Sequence, residues 1–325
     1  MRIGVIGVGR IGALHVDTLR GLPDVSVVAV ADADSERAAA LARPESGAQA
    51  AVLAASSVAD LLASKPDGVV VTTPTPTHAE VVIAAAELGV PTFCEKPLAA
   101  DLAGTHRVLA AAQRAGVPLQ LGFQRRFDPG FRAARERLLD GSLGRLQSIF
   151  SCTMDPAPPD PAYLPTSGGI FRDCGVHDID AVRWSSGQEI VEVYATGSDQ
   201  GADYFRTYQD LDTAHAVLTL DGGIHASVVA TRFNGAGYEG RLELHGSAGT
   251  ATAGLEGVQQ VSYGGFADRF GEAYAAELEA FCAFLQGRID NPCPGTEALA
   301  ALRVADACEL SRRERRVVRV NEVSE

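Results

Sequence analysis

Six residues near the start of the chain constrain its fold more than any others: Gly7-Val8-Gly9-Arg10-Ile11-Gly12. The spacing G-x-G-x-x-G follows directly on a short apolar run, residues 2–6, and opens a helical stretch. In a strand–turn–helix setting each glycine has its own task. The first permits the tight turn, the second lets backbone approach a pyrophosphate, and the third lets helix pack on strand. The helix N-terminus then offers unbonded N–H groups and partial positive charge to the phosphates. With 34 glycines in 325 residues the pattern alone is weak, and its context carries it. That context extends to Asp32, at the end of a second run rich in β-branched residues, 25–31. A carboxylate there accepts from the ribose hydroxyls of NAD and repels the 2′-phosphate of NADP. Arg37, with Ser35 beside it, is the competing feature, since a guanidinium neutralises such a phosphate. The expectation is NAD in preference to NADP; a plain helix N-cap is the alternative role for Asp32.

The rest of the N-terminal part alternates strand and helix with short connections. Helices are expected near 35–42, 57–63, 78–88 and 101–115, and strands at 68–72, 91–94 and 118–122. This is the pattern of βαβ units, a parallel sheet covered on both faces. The texture changes after about residue 123. A helix at 130–139 and a strand at 146–153 lead into residues 155–169, a loop with five prolines and two adjacent glycines. A helix is expected at 171–185, then strands at 190–197, 214–220, 224–232, 240–246 and 257–263. Asp221-Gly222-Gly223 is a hairpin signal between two of them. These strands imply an antiparallel or mixed sheet, and helices near 268–286 and 295–312 follow. The fold class expected is α/β, with a doubly wound parallel sheet in 1–122 and an α+β domain in 123–325.

Composition narrows the function. The formal net charge is −13, from 28 basic and 41 acidic residues. An acidic surface repels phosphate backbones, which disfavours nucleic acid as a partner. It suits a cytoplasmic protein. A hydrophobic content of 46% excludes disorder as the main state. No apolar stretch reaches the ~20 residues of a membrane span. Residues 2–6 already read as a working strand, so no removable leader is expected. Six cysteines form no Cys-x-x-Cys pair and no Cys/His cluster, so reduced, buried thiols and no metal centre are expected.

Three further stretches carry chemistry. Thr72-Thr73-Pro74-Thr75-Pro76-Thr77-His78 lies at the carboxyl end of a parallel strand, where ligands of such sheets bind. Thr73 and Pro74 are placed against the cofactor, and Thr77 is expected to cap the next helix, with Glu80 completing a capping box. Glu95-Lys96-Pro97 ends the next strand. A lysine there sits beside the nicotinamide, and its ammonium can stabilise charge on a substrate oxygen; taken alone, a Lys–Pro pair is a surface loop. Asp173 and His177 are spaced i, i+4 in the helix at 171–185 and share a face. A carboxylate beside an imidazole makes a general base, and the alternative is a surface pair. Asp178, Asp180 and Arg183 read as surface or interdomain pairs.

Taken together, these motifs resemble the glucose–fructose oxidoreductase / inositol dehydrogenase / MocA family over nearly the whole chain. Gly7 to Gly12 with His15 matches the family's opening, and Glu95-Lys96-Pro97 is its lysine motif. Ser167-Gly168-Gly169-Ile170-Phe171-Arg172-Asp173 through His177-Asp178-Ile179-Asp180 matches its catalytic helix. Gly122-Phe123-Gln124-Arg125-Arg126-Phe127-Asp128-Pro129 and Asp155-Pro156-Ala157-Pro158-Pro159 resemble the inositol 2-dehydrogenase branch. The resemblance implies an N-terminal Rossmann domain and a C-terminal domain with a large, mostly antiparallel open sheet that pairs subunits into a homodimer or homotetramer.

It also implies roles residue by residue. NAD would be held by Gly7, Gly9, Arg10, Ile11, Gly12, Asp32, Arg37, Thr73, Pro74, His78, Glu95 and Lys96. The substrate, a cyclic polyol or sugar, would meet Lys96, Arg125, Asp155, Asp173, His177 and Tyr238. Lys96 would bind the reacting hydroxyl, His177 would take its proton, and Asp173 would hold substrate hydroxyls and His177. The Lys96–Pro97 peptide is expected to be cis. The activity implied is NAD-dependent oxidation of a secondary hydroxyl. The alternatives are an NAD-binding regulator, an NAD-dependent glycosidase on the same fold, or a hydrolase with a metal on Asp173 and His177.

Overall fold

Six strands make the first sheet: β1 (Arg2–Ile6), β2 (Ser26–Ala31), β3 (Leu53–Ala55), β4 (Gly68–Val71), β5 (Thr92–Glu95) and β6 (Leu119–Gly122). All their pairings are parallel, in the order β3-β2-β1-β4-β5-β6. This is the doubly wound order, and the strand sequence reverses between β1 and β4, beside the glycine loop. The computed structural model describes residues 1–43, 52–256, 259–260 and 263–323. These fall into two compact units, Met1–Phe123 with Tyr274–Leu299 and Gln124–Ala273 with Ala300–Glu325.

In the first unit Ile3, Val5, Ile6, Val69, Val70 and Val71 are buried, as strands covered on both faces require. Helix ends follow local chemistry. Asp101 caps the helix Leu102–Ala115 by accepting from Gly104 N, and Gly116 ends it in the left-handed region, φ +64°. The boundary expected at 122/123 falls within one residue of the break between Phe123 and Gln124, and the later segment Tyr274–Leu299 also packs with this unit. Leu278, Phe281 and Cys282 of the helix Phe266–Leu285 join the core of Ile3, Val5, Val30, Val70 and Phe93. Their i, i+3, i+4 spacing shows an apolar stripe in need of a partner. It does not show which sheet the stripe covers, so the return crossing is invisible in the sequence.

The second unit is built on a seven-stranded sheet. Its strands are β7 (Leu146–Met154), β8 (Ile190–Ser198), β9 (Thr213–Leu220), β10 (His225–Thr231), β11 (Glu239–Gly246) and β12 (Thr250–Ala253), with a last short strand near the C-terminus. A separate pair, β13 (Leu255–Glu256) and β14 (Gln259–Gln260), precedes that last strand, β15 (Val318–Arg319). The order is β12-β11-β7-β10-β9-β8-β15. Only β7 and β10 pair in parallel, so the sheet is mixed and mostly antiparallel. The expected hairpin at 221–223 joins β9 to β10, with Gly223 at φ +78°. Of the strand expected at 257–263, residues 257–258 and 261–262 lie outside the described residues; Tyr263 bridges to Tyr238. Strands alternate buried and outward residues: Ala214, Ala216, Leu218 and Leu220 are buried in β9, whereas His215 and Val217 are exposed. All six cysteines are buried and unbridged. Among the described residues no helix is long and apolar enough to cross a membrane.

Candidate active site

The residues expected to hold a dinucleotide lie in the first unit. Gly7 adopts φ +88° and donates its N–H to Ala31 O at 2.7 Å. A Cβ on Gly7 would strike the Thr73 backbone, and one on Gly12 would collide with the Gly7 carbonyl. At Gly9 a Cβ would meet nothing within 4 Å. The second glycine therefore faces open space at the head of the helix Arg10–Gly21, a cradle shaped for a pyrophosphate.

Asp32 stands next to this loop, its Oδ2 accepting from Val8 N at 2.6 Å and its Oδ1 from Asp34 N at 2.9 Å. It does not cap the next helix. Asp34 does, accepting from Glu36 N and Arg37 N. Arg37 is drawn to carboxylates, 3.4 Å from Asp32 and 3.3 Å from Asp34. Its charge is thus already opposed, and the carboxylate of Asp32 remains where a ribose is expected. The site fits NAD.

The loop after β4 differs from expectation in one respect. Its helix begins at Thr75, with Pro74 at the N-cap position, and Thr77 Oγ1 donates to Pro74 O at 2.8 Å. The capping box of Thr77 and Glu80 is not formed, because Pro76 is compatible with the first turn and lets the helix start earlier. His78 is buried, and its two ring nitrogens face main-chain carbonyls, Nδ1 to Pro97 O and Nε2 to Thr73 O, each at 2.7 Å. Both ring nitrogens thus face the protein's own backbone, and the neutral ring donates to one of the two carbonyls. Burial, the largest influence, lowers its pKa below that of an ordinary imidazole, against the two carbonyls and Glu95.

The Lys96–Pro97 peptide is cis, as expected. Glu95 Oε1 lies 2.8 Å from His15 Nε2. One set of three metal-type donors occurs among the described residues, His15, Glu95 and Glu277, within 4.8 Å of one another. Burial and then the charge of Glu95 push the Glu277 carboxyl well above its ordinary pKa, which favours its protonated form. One signal for Lys96 passed unused: of 28 basic residues only two are lysines, Lys65 and Lys96. A chain that otherwise uses arginine keeps a lysine at the end of β5.

The residues expected on the substrate side lie in the second unit. The helix expected at 171–185 opens with a π turn, Phe171–Gly175, before the α-helix Val176–Ser186. Such turns are frequent at functional sites. Asp173 sits in the turn and His177, half-buried, one turn later. Tyr163 Oη donates to Asp173 Oδ1 at 2.9 Å, and Arg232 Nη1 donates to Oδ2 at 2.9 Å. Arg232 is itself buried, with Asp210 Oδ2 at 3.8 Å. Cys174 Sγ lies 3.7 Å from Asp155 Oδ2, and Asp155 is fixed through its backbone to Thr231 O and Asn234 N. Burial and the Asp173 carboxylate push the Tyr163 phenol up, so it stays a donor. Burial also raises Asp210. The structure thus gathers Asp155, Asp173 and Cys174 with Tyr163, Arg232 and Asp210. Sequence reasoning missed Tyr163, Arg232 and Asp210, although Arg232 ends an apolar strand with a charge.

Three expectations on this side change. Arg125 is buried, with Nη1 donating to Asp178 Oδ1 and Nη2 to Thr153 Oγ1, both at 2.6 Å. Its guanidinium lies over the rings of Phe131 and Phe270. It organises the interior of the unit and offers no open face to a hydroxyl. Asp178 and Asp180 are buried too, Asp180 receiving a forked pair of bonds from Arg126, while Arg183 forks onto Glu189. The two aspartate pairs are internal, whereas Glu189, the partner of Arg183, is 62% exposed, so that pair lies at the surface as expected. The helix Val176–Ser186 is buried on several sides, and charges there must be matched. Tyr238 is 4% exposed, edge-on to Phe270, and burial pushes its phenol up.

Residues 1–123 match the NAD-binding Rossmann-fold model of the oxidoreductase family GFO/IDH/MocA, and residues 131–252 match the GFO/IDH/MocA C-terminal domain. A myo-inositol dehydrogenase of Streptomyces leeuwenhoekii is 40% identical over 320 residues, 96% of this chain and 97% of that protein. The solved scyllo-inositol dehydrogenase of Lactobacillus casei with bound NAD(H) and scyllo-inositol is similar at TM-score 0.88 and 26% identity, covering 99% of each chain. The myo-inositol dehydrogenase of the same organism, in complex with NAD(H) and myo-inositol, is similar at TM-score 0.85 and 26% identity, covering 100% of this chain and 98% of that one.

Proposed function

The chain belongs to the GFO/IDH/MocA oxidoreductase family, and from that membership and its own residues we propose that it is an NAD-dependent dehydrogenase of the inositol 2-dehydrogenase type. It oxidises one secondary hydroxyl of a cyclic polyol to a ketone. The observation that supports this most is Lys96, standing just after β5 in a chain with one other lysine.

NAD⁺, when bound, supplies the hydride acceptor. The glycine loop and Asp32 hold it, with Thr73 and Pro74 beside them. The ammonium of Lys96 donates to the reacting oxygen and stabilises negative charge as it develops. The imidazole of His177 accepts the hydroxyl proton while the carbinol hydrogen departs with its electron pair. The substrate therefore loses one proton and one hydride, and a C=O bond replaces the O–H and C–H bonds. Asp173 accepts from a substrate hydroxyl, its carboxylate kept in place by Tyr163 and Arg232. Asp155 is the second hydroxyl acceptor.

The relatives act on inositols, which supports that substrate class for this chain. The protein works in the cytoplasm, as its reduced thiols and NAD chemistry suit. It assembles as a homodimer or homotetramer through the outward face of the seven-stranded sheet. Tyr194 and Val217, cross-strand neighbours there, are 45% and 47% exposed. The test is a panel of inositol isomers and aldohexoses with NAD⁺ and NADP⁺, followed by reduced-cofactor absorbance. NADH should accumulate with at least one inositol. Confirmed NAD⁺ binding with no NADH from any inositol, hexose or sugar acid would contradict the reading.

A further inference from the structure

We propose that His15 and His78 are positioning residues that grip the Glu95-Lys96-Pro97 loop on either side of Lys96 and so set where its ammonium stands. The proposal rests on the reading of Lys96 as the residue that meets the substrate oxygen. The residue before Lys96 is held through its side chain: Glu95 Oε1 is 2.8 Å from His15 Nε2. His15 is fully buried on the helix that the glycine loop opens, and it stands edge-on to the rings of Phe93 and Tyr274. The residue after Lys96 is held through its main chain: Pro97 O is 2.7 Å from His78 Nδ1. The same imidazole reaches Thr73 O with Nε2, again at 2.7 Å. One ring thereby stands between the lysine loop and the loop after β4.

The chemistry of the His78 contacts is directional. A carbonyl oxygen only accepts, so a ring nitrogen at 2.7 Å must donate to satisfy it. A neutral imidazole has one N–H and serves one carbonyl, whereas the protonated ring serves both. In the neutral form the Nδ1–H tautomer holds Pro97 O alone, and only the protonated ring binds both carbonyls and ties the two loops together. A lysine has four rotatable bonds, and its reach is defined only as well as the backbone that carries it. A misplacement of about 1 Å at a catalytic group costs on the order of 10²-fold in rate. Two buried histidines, each from an element next to the cofactor loops, are the means by which this chain prevents that.

The experiment compares wild type with His78→Leu and with His78→Asn, a polar side chain too short to span both carbonyls. Each protein is first shown to be folded by circular dichroism. Two quantities are read: kcat against KM for NAD⁺, and the trace acetylation of Lys96 relative to Lys65 by acetic anhydride. Lys65 is exposed and serves as the internal reference, and there is no other lysine to confuse the ratio. Both variants should lower kcat by roughly 10–10²-fold, more than they raise KM for NAD⁺. The Lys96/Lys65 labelling ratio should change by at least about threefold, half a pKa unit of altered environment. If one variant does not fold, the other decides. A folded variant whose kcat and labelling ratio both stay at wild-type values overturns the proposal. Failure of the underlying function is seen separately: Lys96→Ala with unimpaired turnover would remove lysine's catalytic role, while the labelling ratio would still judge the grip.

Discussion

His177 and Asp173 share one helical face, and the roles given to them differ in a way kinetics can separate. A protonated imidazole cannot accept the hydroxyl proton, so oxidation should rise with pH through one ionisation and be greatest at neutral to alkaline pH. His177→Ala should lower kcat and kcat/KM by roughly 10²–10⁴-fold and flatten that rise, with NAD⁺ affinity little changed. A pH–rate profile of the variant that keeps the wild-type inflection would assign the proton to another group. Asp32 carries a second residue-level prediction. Asp32→Ser removes the charge that repels a 2′-phosphate, and it leaves Arg37 with Asp34 alone as a carboxylate partner. The NAD-over-NADP ratio of kcat/KM should fall by roughly tenfold, the scale of one charged contact of about 1.4 kcal/mol. An unchanged ratio in steady-state assays would contradict the role of Asp32. These residues were open to nomination from the sequence because each stands in a local pattern, Asp173 and His177 at i, i+4 and Asp32 just after β2. Tyr163, Arg232 and Asp210 were not, since they reach Asp173 and one another from a proline-rich loop, the end of β10 and a turn before β9. Local spacing carries no trace of that convergence. Arg125 was misread for a related reason: its type and place near the domain junction suited a hydroxyl, but Asp178 and Thr153 claim it.

The strands and helices of both sheets were legible wherever burial imposes a period. Strands of the parallel sheet read as continuous apolar runs, and those of the mixed sheet as alternation around Asp221-Gly222-Gly223. The short edge pieces β3, β12 and β15 lack enough residues for a pattern, and the π turn at Phe171–Gly175 keeps helical spacing while shifting its hydrogen bonds. The helix Phe266–Leu285 was found as an element, but its partner sheet was not. That helix places Glu277, fully buried, beside Glu95 and His15. Burial and then Glu95 raise its pKa well above the ordinary value. Above about pH 4.3 the unfolded chain releases a proton that the folded chain retains, so this group lowers stability progressively as pH rises. Glu277→Gln, neutral at every pH, removes that slope. The melting temperature of the variant should gain on wild type from pH 5 to pH 8, by an amount that grows with pH. A gap between the two proteins that is constant across the range would show that Glu277 ionises freely in the fold.

The residues given roles in the proposal are carried by two units. The first holds the glycine loop, Asp32 and Lys96; the second holds Asp155, Asp173 and His177. The account's central claim is that a carbinol hydrogen of an inositol leaves as hydride and arrives on NAD. Isotope transfer tests it most directly. Inositols deuterated at every ring carbon would be incubated with the protein and NAD⁺, and the reduced cofactor would be isolated and examined by NMR at nicotinamide C4. The account predicts one deuterium at C4 for each NADH formed, and a slower reaction than with unlabelled substrate where hydride transfer limits the rate. NADH that carries no deuterium, or product formed with no net reduction of NAD⁺, would contradict it.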